Sequence, residues 1–461
     1  MNIKNTLKTY LSFGEKLKIK DSDNYGFDAM RKLTFGASAV KSSLINKDAK
    51  SILLSALINT APFAILSVLV LAIIYALNGM VLTTLNNFCA GFICFFIYIL
   101  IELFKSNYNN FKEQNLLKSS LIVASATFIL SCGTVIREIY NILTKKYWQG
   151  KIFDISAIVI IFAVVFFAVL TKGEFKKNLN TLLASVISVL YLATNATYFK
   201  AFSFMSYVRI GLVLVMLGLM VYTIIKENKG LKLNLKTPLI ILGATIVLTV
   251  AIALVIRFAY KDINQIKYIL SSAFAGLFGG DINSLALVEN TLGGGIITNN
   301  TSLLGLISTI AYILPGSYLI NTVTMAGFNM GFKGESALAL GSLYAIMGLV
   351  IVIGLSLSAF SLVIEFVKSG KDLTRLTAIK NYVSACIMGL IPVTVLAMVS
   401  TFVNLVRVSF NGVAGILFAA VLVAVIYIAC NKYKLNRNIA AIVSGVLTTL
   451  IMIFSAGIIL Y

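Results

Sequence analysis

The 461-residue chain contains no histidine, one tryptophan, four prolines and only 17 acidic residues. Without histidine there can be no His-based metal site, Ser-His-Asp catalysis or His proton relay. A His-Glu-x-x-His pair, a nucleotide-phosphate loop and a paired acidic metal site are also missing, which excludes the usual membrane proteases and ATP-driven pumps working as one chain. No cofactor and no metal are expected, and the chain is not read as an enzyme. The five cysteines, Cys89, Cys94, Cys132, Cys386 and Cys430, lie in apolar sequence without zinc-like spacing and read as small buried hydrophobes. Charged residues make up only 12% of the chain.

Apolar sequence fills the rest. At 59% hydrophobic residues and a mean hydropathy of +0.95, the composition is that of a polytopic membrane protein. Runs such as Ile155 to Leu170, Ile210 to Ile225, Leu239 to Ile256, Met347 to Ile364 and Gly415 to Ala429 approach the roughly 20 residues that a spanning helix needs. Grouping such runs predicts an all-α integral membrane protein of about 12 to 14 transmembrane or broken helices. The net charge of +21 punctuates the spaces between apolar runs instead of forming one patch, so nucleic acid is excluded as a partner and membrane lipid expected. Ten lysines and arginines between Lys4 and Lys50 precede the first long span, which places the N-terminus in the cytoplasm and the chain in the cell membrane. Later loops are basic on both parities. No cleavable signal peptide is evident.

Three pairs of segments read alike. Ile101-Glu102-Leu103-Phe104-Lys105-Ser106 matches Ile364-Glu365-Phe366-Val367-Lys368-Ser369, Thr34 to Ser38 matches Leu277 to Asp281, and Leu53 to Ile58 matches Leu303 to Ser308. They predict two homologous, inverted halves, 1–236 and 237–461, the first a degenerate copy. Residues 237 to 257 read as an added helix behind the polar stretch Lys226 to Lys236. A homodimer is compatible with this organisation.

The most informative segment runs from Ala311 to Gly331, where Pro315-Gly316 and small polar residues interrupt apolar sequence. Broken backbone at membrane depth is tolerated where it is buried in protein or lines a hydrated cavity. Gly279-Gly280 and Gly293-Gly294-Gly295 are further candidate breaks. Helices starting after Gly280 and Gly316 would turn free N–H groups and positive dipole ends toward an anion. Ser317, Asn321, Thr322 and Thr324 would add donors, with Asn321 and Thr324 near one face; the alternative is that they are helix-packing contacts. Asp281 and Glu289 are candidates for proton or cation coupling, against an N-cap role for Asp281 and a solvated helix end for Glu289. Arg257 and Lys333 could charge an anion path or snorkel to the interface.

Leu314-Pro315-Gly316, Ile320-Asn321-Thr322-Val323-Thr324 and Gly327-Phe328 together resemble the signature of the chromate transporter family. Leu277-Phe278-Gly279-Gly280-Asp281, Leu287-Val288-Glu289 and Gly389-Leu390-Ile391-Pro392 are similar to that family's glycine motif, acidic residue and Gly-Leu-Arg-Pro turn. Ser317, Asp281, Phe328 and Ile391 depart from its pattern. The resemblance covers roughly residues 265 to 461 and implies a two-half secondary carrier of an inorganic oxyanion, chromate with sulfate as mimic. Its substrate site would comprise Gly279, Gly280, Asp281, Pro315, Gly316, Ser317, Asn321, Thr322 and Thr324. The competing expectation is a flippase or exporter of a larger amphipathic solute such as a lipid-linked sugar or drug; a membrane-embedded enzyme or structural partner ranks below both.

Overall fold

The computed structural model describes residues 49–76, 80–130, 234–261, 301–314, 317–332, 336–368, 374–406, 410 and 412–459, with isolated positions between 266 and 273. Among these residues the secondary structure is entirely helical. The helices are α1 (Ala49–Ala76), α2 (Met80–Glu113), α3 (Leu117–Leu130), α4 (Lys236–Tyr260) and α5 (Thr301–Ile313), followed by α6 (Tyr318–Gly331), α7 (Ala337–Lys368), α8 (Thr374–Val406), α9 (Gly412–Asn431) and α10 (Arg437–Ile459). Five segments are long and apolar enough to cross a membrane: Asn87–Glu113, Lys236–Tyr260, Ala337–Leu362, Ile387–Val406 and Gly412–Asn431. The chain is therefore a multi-pass, all-helical membrane protein. The apolar runs expected at 239–256, 347–364 and 415–429 fall inside α4, α7 and α9. Those at 155–170 and 210–225 lie outside the described residues.

Helix directions follow from pairs of contacts. Tyr312 packs on Phe92, Phe95 and Phe96 while Cys89 shares a side-chain hydrogen bond with Thr309, so α5 runs parallel to α2. The Tyr318 hydroxyl lies 3.2 Å from Ser308 Oγ, which folds α6 back against α5. Val323, Gly327 and Gly331 of α6 meet Gly348, Tyr344 and Leu340 of α7 in that order, so α7 is antiparallel to α6 and parallel to α2. Ser358 donates to the Pro238 carbonyl at 3.0 Å and Gly354 abuts Thr245, fixing α4 antiparallel to α7. Gln114 bonds Asn381 at 2.8 Å, and Ser444 donates to the Gly91 carbonyl at 3.1 Å; α8 and α10 thus both oppose α2.

These directions sort the helix ends onto two sides. One side collects the starts of α1, α3, α4, α8 and α10 and the ends of α2, α7 and α9. It carries Lys50, Lys105, Lys112, Lys236, Lys368, Arg375, Lys432, Lys434 and Arg437, whereas the described residues place only Arg257 and Lys261 at the other side. Among the described residues the basicity falls on one side because α5 and α6 together cross only part of the layer, shifting the parity of the helices after them.

Two apolar clusters hold the bundle. The larger joins α2, α5, α8, α9 and α10 with one face of α6 and the end of α1; the second joins α4, α7, the opposite face of α6 and Ala64 of α1. Residues 90–100 of α2 are buried without a break, as are 317–328 leading into and along α6, so neither helix has a lipid-facing side there. α4, in contrast, buries only Pro238, Thr245 and Ile256, a stripe toward α7. The expected 237–257 helix is present, packed as a peripheral element.

The repeat expected from the sequence does not describe one operation. The helices bearing Ile101 to Ser106 and Ile364 to Lys368 run in the same sense, so no inverted relation is found for this pair. Those bearing Leu53 to Ile58 and Leu303 to Ser308 run in opposite senses. The match of Thr34 to Ser38 with Leu277 to Asp281 lies outside the described residues. Gly389-Leu390-Ile391-Pro392, compared above with a turn, is continuous helix inside α8. Proline inside a membrane helix is tolerated in this way, and Gly389 is needed where the Ala124 backbone crosses it.

Candidate functional site

The segment from Thr301 to Gly331 is a re-entrant hairpin. α5 starts at the less basic side, and α6 ends at that same side beside Leu340 and Gly341 of α7. At 1.5 Å per residue, helices of 13 and 14 residues each reach only about 20 Å, too little to cross a hydrocarbon core of about 30 Å. The start of α6 lies at mid-depth: the Tyr318 ring is tilted against Phe96, centroids 6.3 Å apart, at the midpoint of α2. The sequence explains the turn. Proline ends the hydrogen-bond ladder of α5 and glycine frees the chain to reverse. Leu314 N–H still bonds the Ile310 carbonyl, and Ser317 in extended conformation (φ −81°, ψ 126°) starts α6.

The helix expected to begin at Ser317 is thus present, with Ser317 as its N-cap residue. Its side chain makes no capping hydrogen bond, leaving the first N–H groups of α6 uncapped by it. Ser317, Asn321, Thr322 and Thr324 are all buried. The structure does not make them one donor set. The Thr322 hydroxyl donates to the Tyr318 carbonyl at 2.7 Å and the Thr324 hydroxyl to the Ile320 carbonyl at 2.6 Å, so both protons are committed to their own helix, as Thr often does in apolar surroundings. At about 100° per residue, Ser317, Asn321 and Thr324 share one side of α6, and Thr322 lies a quarter turn away, toward α1. Asn321 is centred on the stripe of Tyr318, Met325 and Phe328, which faces the larger cluster. Thr324 approaches α7 at Gly348.

Aromatic rings surround the tip. Phe92, Phe95 and Phe96 from α2 enclose Tyr312 edge-on, with centroids 5.3 to 6.0 Å apart. Nearer the hairpin base, the Tyr75 hydroxyl donates to Asn329 Oδ1 at 2.6 Å, and its ring lies 5.0 Å from Phe332 and 6.4 Å from Phe328. The composition showed many aromatics but not this placement; only the i, i+3, i+4 spacing of Phe92, Phe95 and Phe96 signals a shared helix face.

Every described lysine and arginine with a resolved side chain is solvent- or lipid-exposed at a helix end. Arg257 is one of these, beside the less basic side, and among the described residues no cation is buried at the hairpin tip. Pro315 and Gly316 themselves, together with Gly279, Gly280, Asp281, Glu289 and Lys333, lie outside the described residues. Cys89 and Cys94 are buried as expected, while Cys430 is only partly so. Groups of three or more metal-ligating side chains are absent among the described residues.

Comparison of the chain with protein-family models, with curated proteins and with solved structures gives no match.

Proposed function

We propose that this chain is a secondary transporter of the cytoplasmic membrane, with its substrate path at the tip of the α5–α6 hairpin. The observation that carries the reading is the break at mid-depth. The end of α5 at Leu314 and the start of α6 at Ser317 set backbone polar groups in the middle of the layer, where they are costly unless they serve a ligand or a hydrated path. The N-terminus of α6 at this depth, with Ser317 and Asn321 on one side, supports an inorganic oxyanion as substrate, and the resemblance to chromate transporters makes chromate and sulfate the first candidates. The concentration of lysine and arginine on one side supports a cytoplasmic N-terminus, since α1 begins there. A duplicated origin is best supported for the α2–α3 and α7–α8 pairs, which bear like sequence in the same sense. Alternating access would be a rocking of the α4–α6–α7 group against the α2–α5–α8 group, with residues 314 to 317 as the crossover between them.

A specific observation favours a second reading. A dianion loses several kcal/mol on leaving water unless a fixed charge compensates, and the described surroundings of the tip are aromatic instead of cationic. Such walls suit a larger amphipathic solute, as in a flippase or exporter. The two readings separate in one experiment: uptake of radiolabelled sulfate and chromate into proteoliposomes, with and without a pH gradient. The Pro315→Ala, Asn321→Ala double variant, checked for normal insertion, is run in parallel. Saturable flux that the double variant loses establishes oxyanion transport through the hairpin. No flux of either anion under any gradient rejects the oxyanion reading and favours the amphipathic solute.

A further inference from the structure

The hairpin of α9 and α10 carries a surface that the transport reading does not use. Along α9, Val413, Leu417, Val421, Val425 and Ile428 are each about half exposed or more; their spacing of three or four residues makes one continuous stripe. Along α10, Ile439, Ile442, Val446, Leu450 and Ile453 form a second exposed stripe. The two converge on the turn Lys432-Tyr433-Lys434-Leu435-Asn436, at the basic side of the protein.

That turn is rigid and strongly positive. Lys432 N–H bonds the Ile428 carbonyl at 2.9 Å and Leu435 N–H bonds the Ala429 carbonyl at 3.0 Å. The second bond closes over Lys434 in the left-handed conformation, φ 52°, which ends α9 and reverses the chain. Lys432, Lys434 and Arg437 are exposed, with no acidic residue between them. One carboxylate, Glu102 of α2, reaches the edge of the turn: it accepts from Asn431 Nδ2 at 2.9 Å and lies 4.0 Å from Lys105. Tyr433 is 72% exposed, with the Lys432 ammonium 5.9 Å from its ring centre. Among the described residues, the other lipid-exposed helix, α4, carries a single cation, Lys236, at the same side.

We propose that the α9–α10 turn binds the headgroup of an anionic phospholipid from the leaflet on the basic side. Lys432, Lys434 and Arg437 supply the charge, Tyr433 sits at the level of the ester groups, and the acyl chains lie along the α9 and α10 stripes. Three cations over two apolar ridges match a negative headgroup carrying two chains, and each cation near an anionic surface strengthens binding about fivefold. The Asn431–Glu102 bond holds the turn against α2, so an occupied site would brace α9 and α10 on the core.

The test uses the full-length protein in mild detergent, with phosphatidylglycerol or phosphatidylcholine added at equal amounts and bound lipid counted by native mass spectrometry. Phosphatidylglycerol should be retained in preference to phosphatidylcholine by more than tenfold in wild type. The preference should be lost in the Lys432→Gln, Lys434→Gln, Arg437→Gln variant and kept in a Lys112→Gln, Lys236→Gln, Lys261→Gln variant of equal charge. Equal retention of both lipids by wild type, or the same loss in both triple variants, overturns the proposal. Should the first variant not fold, Arg437→Gln alone must lower retention about fivefold, and an unchanged value there is equally decisive against it.

Discussion

Gly327→Ala offers a direct test of how α6 is held. A Cβ at that position would lie 2.5 Å from the Tyr344 carbonyl oxygen, 3.0 Å from its carbonyl carbon and 3.3 Å from Ala345 N. All three are backbone atoms of α7, so no side-chain rotation relieves the clash. Reaching ordinary contact at 3.4 Å requires the helices to part by 3.4 − 2.5 = 0.9 Å, along a seam that Gly331, Gly341 and Gly348 also keep close. Overpacking of this kind costs about 1 to 3 kcal/mol, offset by about 1 kcal/mol gained from alanine's helix propensity. The expected net loss is about 0 to 2 kcal/mol, toward the upper end because the clash is with backbone. Gly243→Ala is the matched control: it lies in a helix of the same bundle, and nothing comes within 4 Å of its added Cβ, so only the propensity gain of up to about 1 kcal/mol remains. Thermal unfolding of the purified variants in the same detergent, read by size-exclusion chromatography after heating, should give the order Gly243→Ala at or above wild type and Gly327→Ala below it. Equal midpoints for the two variants would refute the close α6–α7 seam, and with it the depth assigned to the hairpin tip.

Tyr75→Phe keeps the ring packed on Phe328 and Phe332 but deletes the 2.6 Å bond to Asn329; a loss of about 1 kcal/mol is expected, and a double-mutant cycle with Asn329→Ala should show coupling of similar size. On a cysteine-free background, single cysteines introduced at Thr301 and Ser336 should react with a membrane-impermeant maleimide from the same side, and one at Gln114 from the other; labelling of Thr301→Cys and Ser336→Cys from opposite sides would make α5 and α6 a single span and end the re-entrant reading. Gly91→Ala should destabilise more than Gly327→Ala, because its Cβ would collide with the backbone at Ser444 and Gly445 and strain the Ser444–Gly91 bond; the same thermal assay decides it. Asn431→Ala removes the partner of an incompletely buried Glu102, and a loss of no more than about 1 kcal/mol is expected from unfolding measurements.

Part of the site was legible in the chain and part was not. Pro315-Gly316 announced a break, because proline removes a donor from the helical ladder and the adjacent glycine frees the backbone, and α6 starts just after it; Pro392, without such a neighbour, stays inside α8. What each polar residue of α6 does was not legible. Thr322 and Thr324 read as donors to a ligand, yet in a dry environment the nearest acceptor is the carbonyl one turn back, and they take it. Asn321 falls among aromatic residues because its angular position on α6 matches Tyr318 and Phe328, a relation that matters only once α2 and α5 are known to lie on that side. Which of the like segments share a direction was not legible for a related reason. Apolar segments of similar composition match in sequence without regard to direction, and direction is a property of packing.

The sequence by itself determined that this is a helical membrane protein: too little polar surface exists for any other solvent, and long apolar runs must satisfy their backbone internally. It also determined where the chain breaks and that His-based chemistry is absent. The tertiary structure alone decided that the break is the tip of a re-entrant hairpin, that the cations gather on one side, and that α2 and α6 are sealed from lipid while α4 is not. These follow from which helix lies against which, set by contacts such as Gly327 on Tyr344 and Gly91 on Ser444 between residues far apart in the chain. In a nearly uniform apolar sequence, hydropathy cannot rank one such pairing above another; the fit of small residues against backbone can.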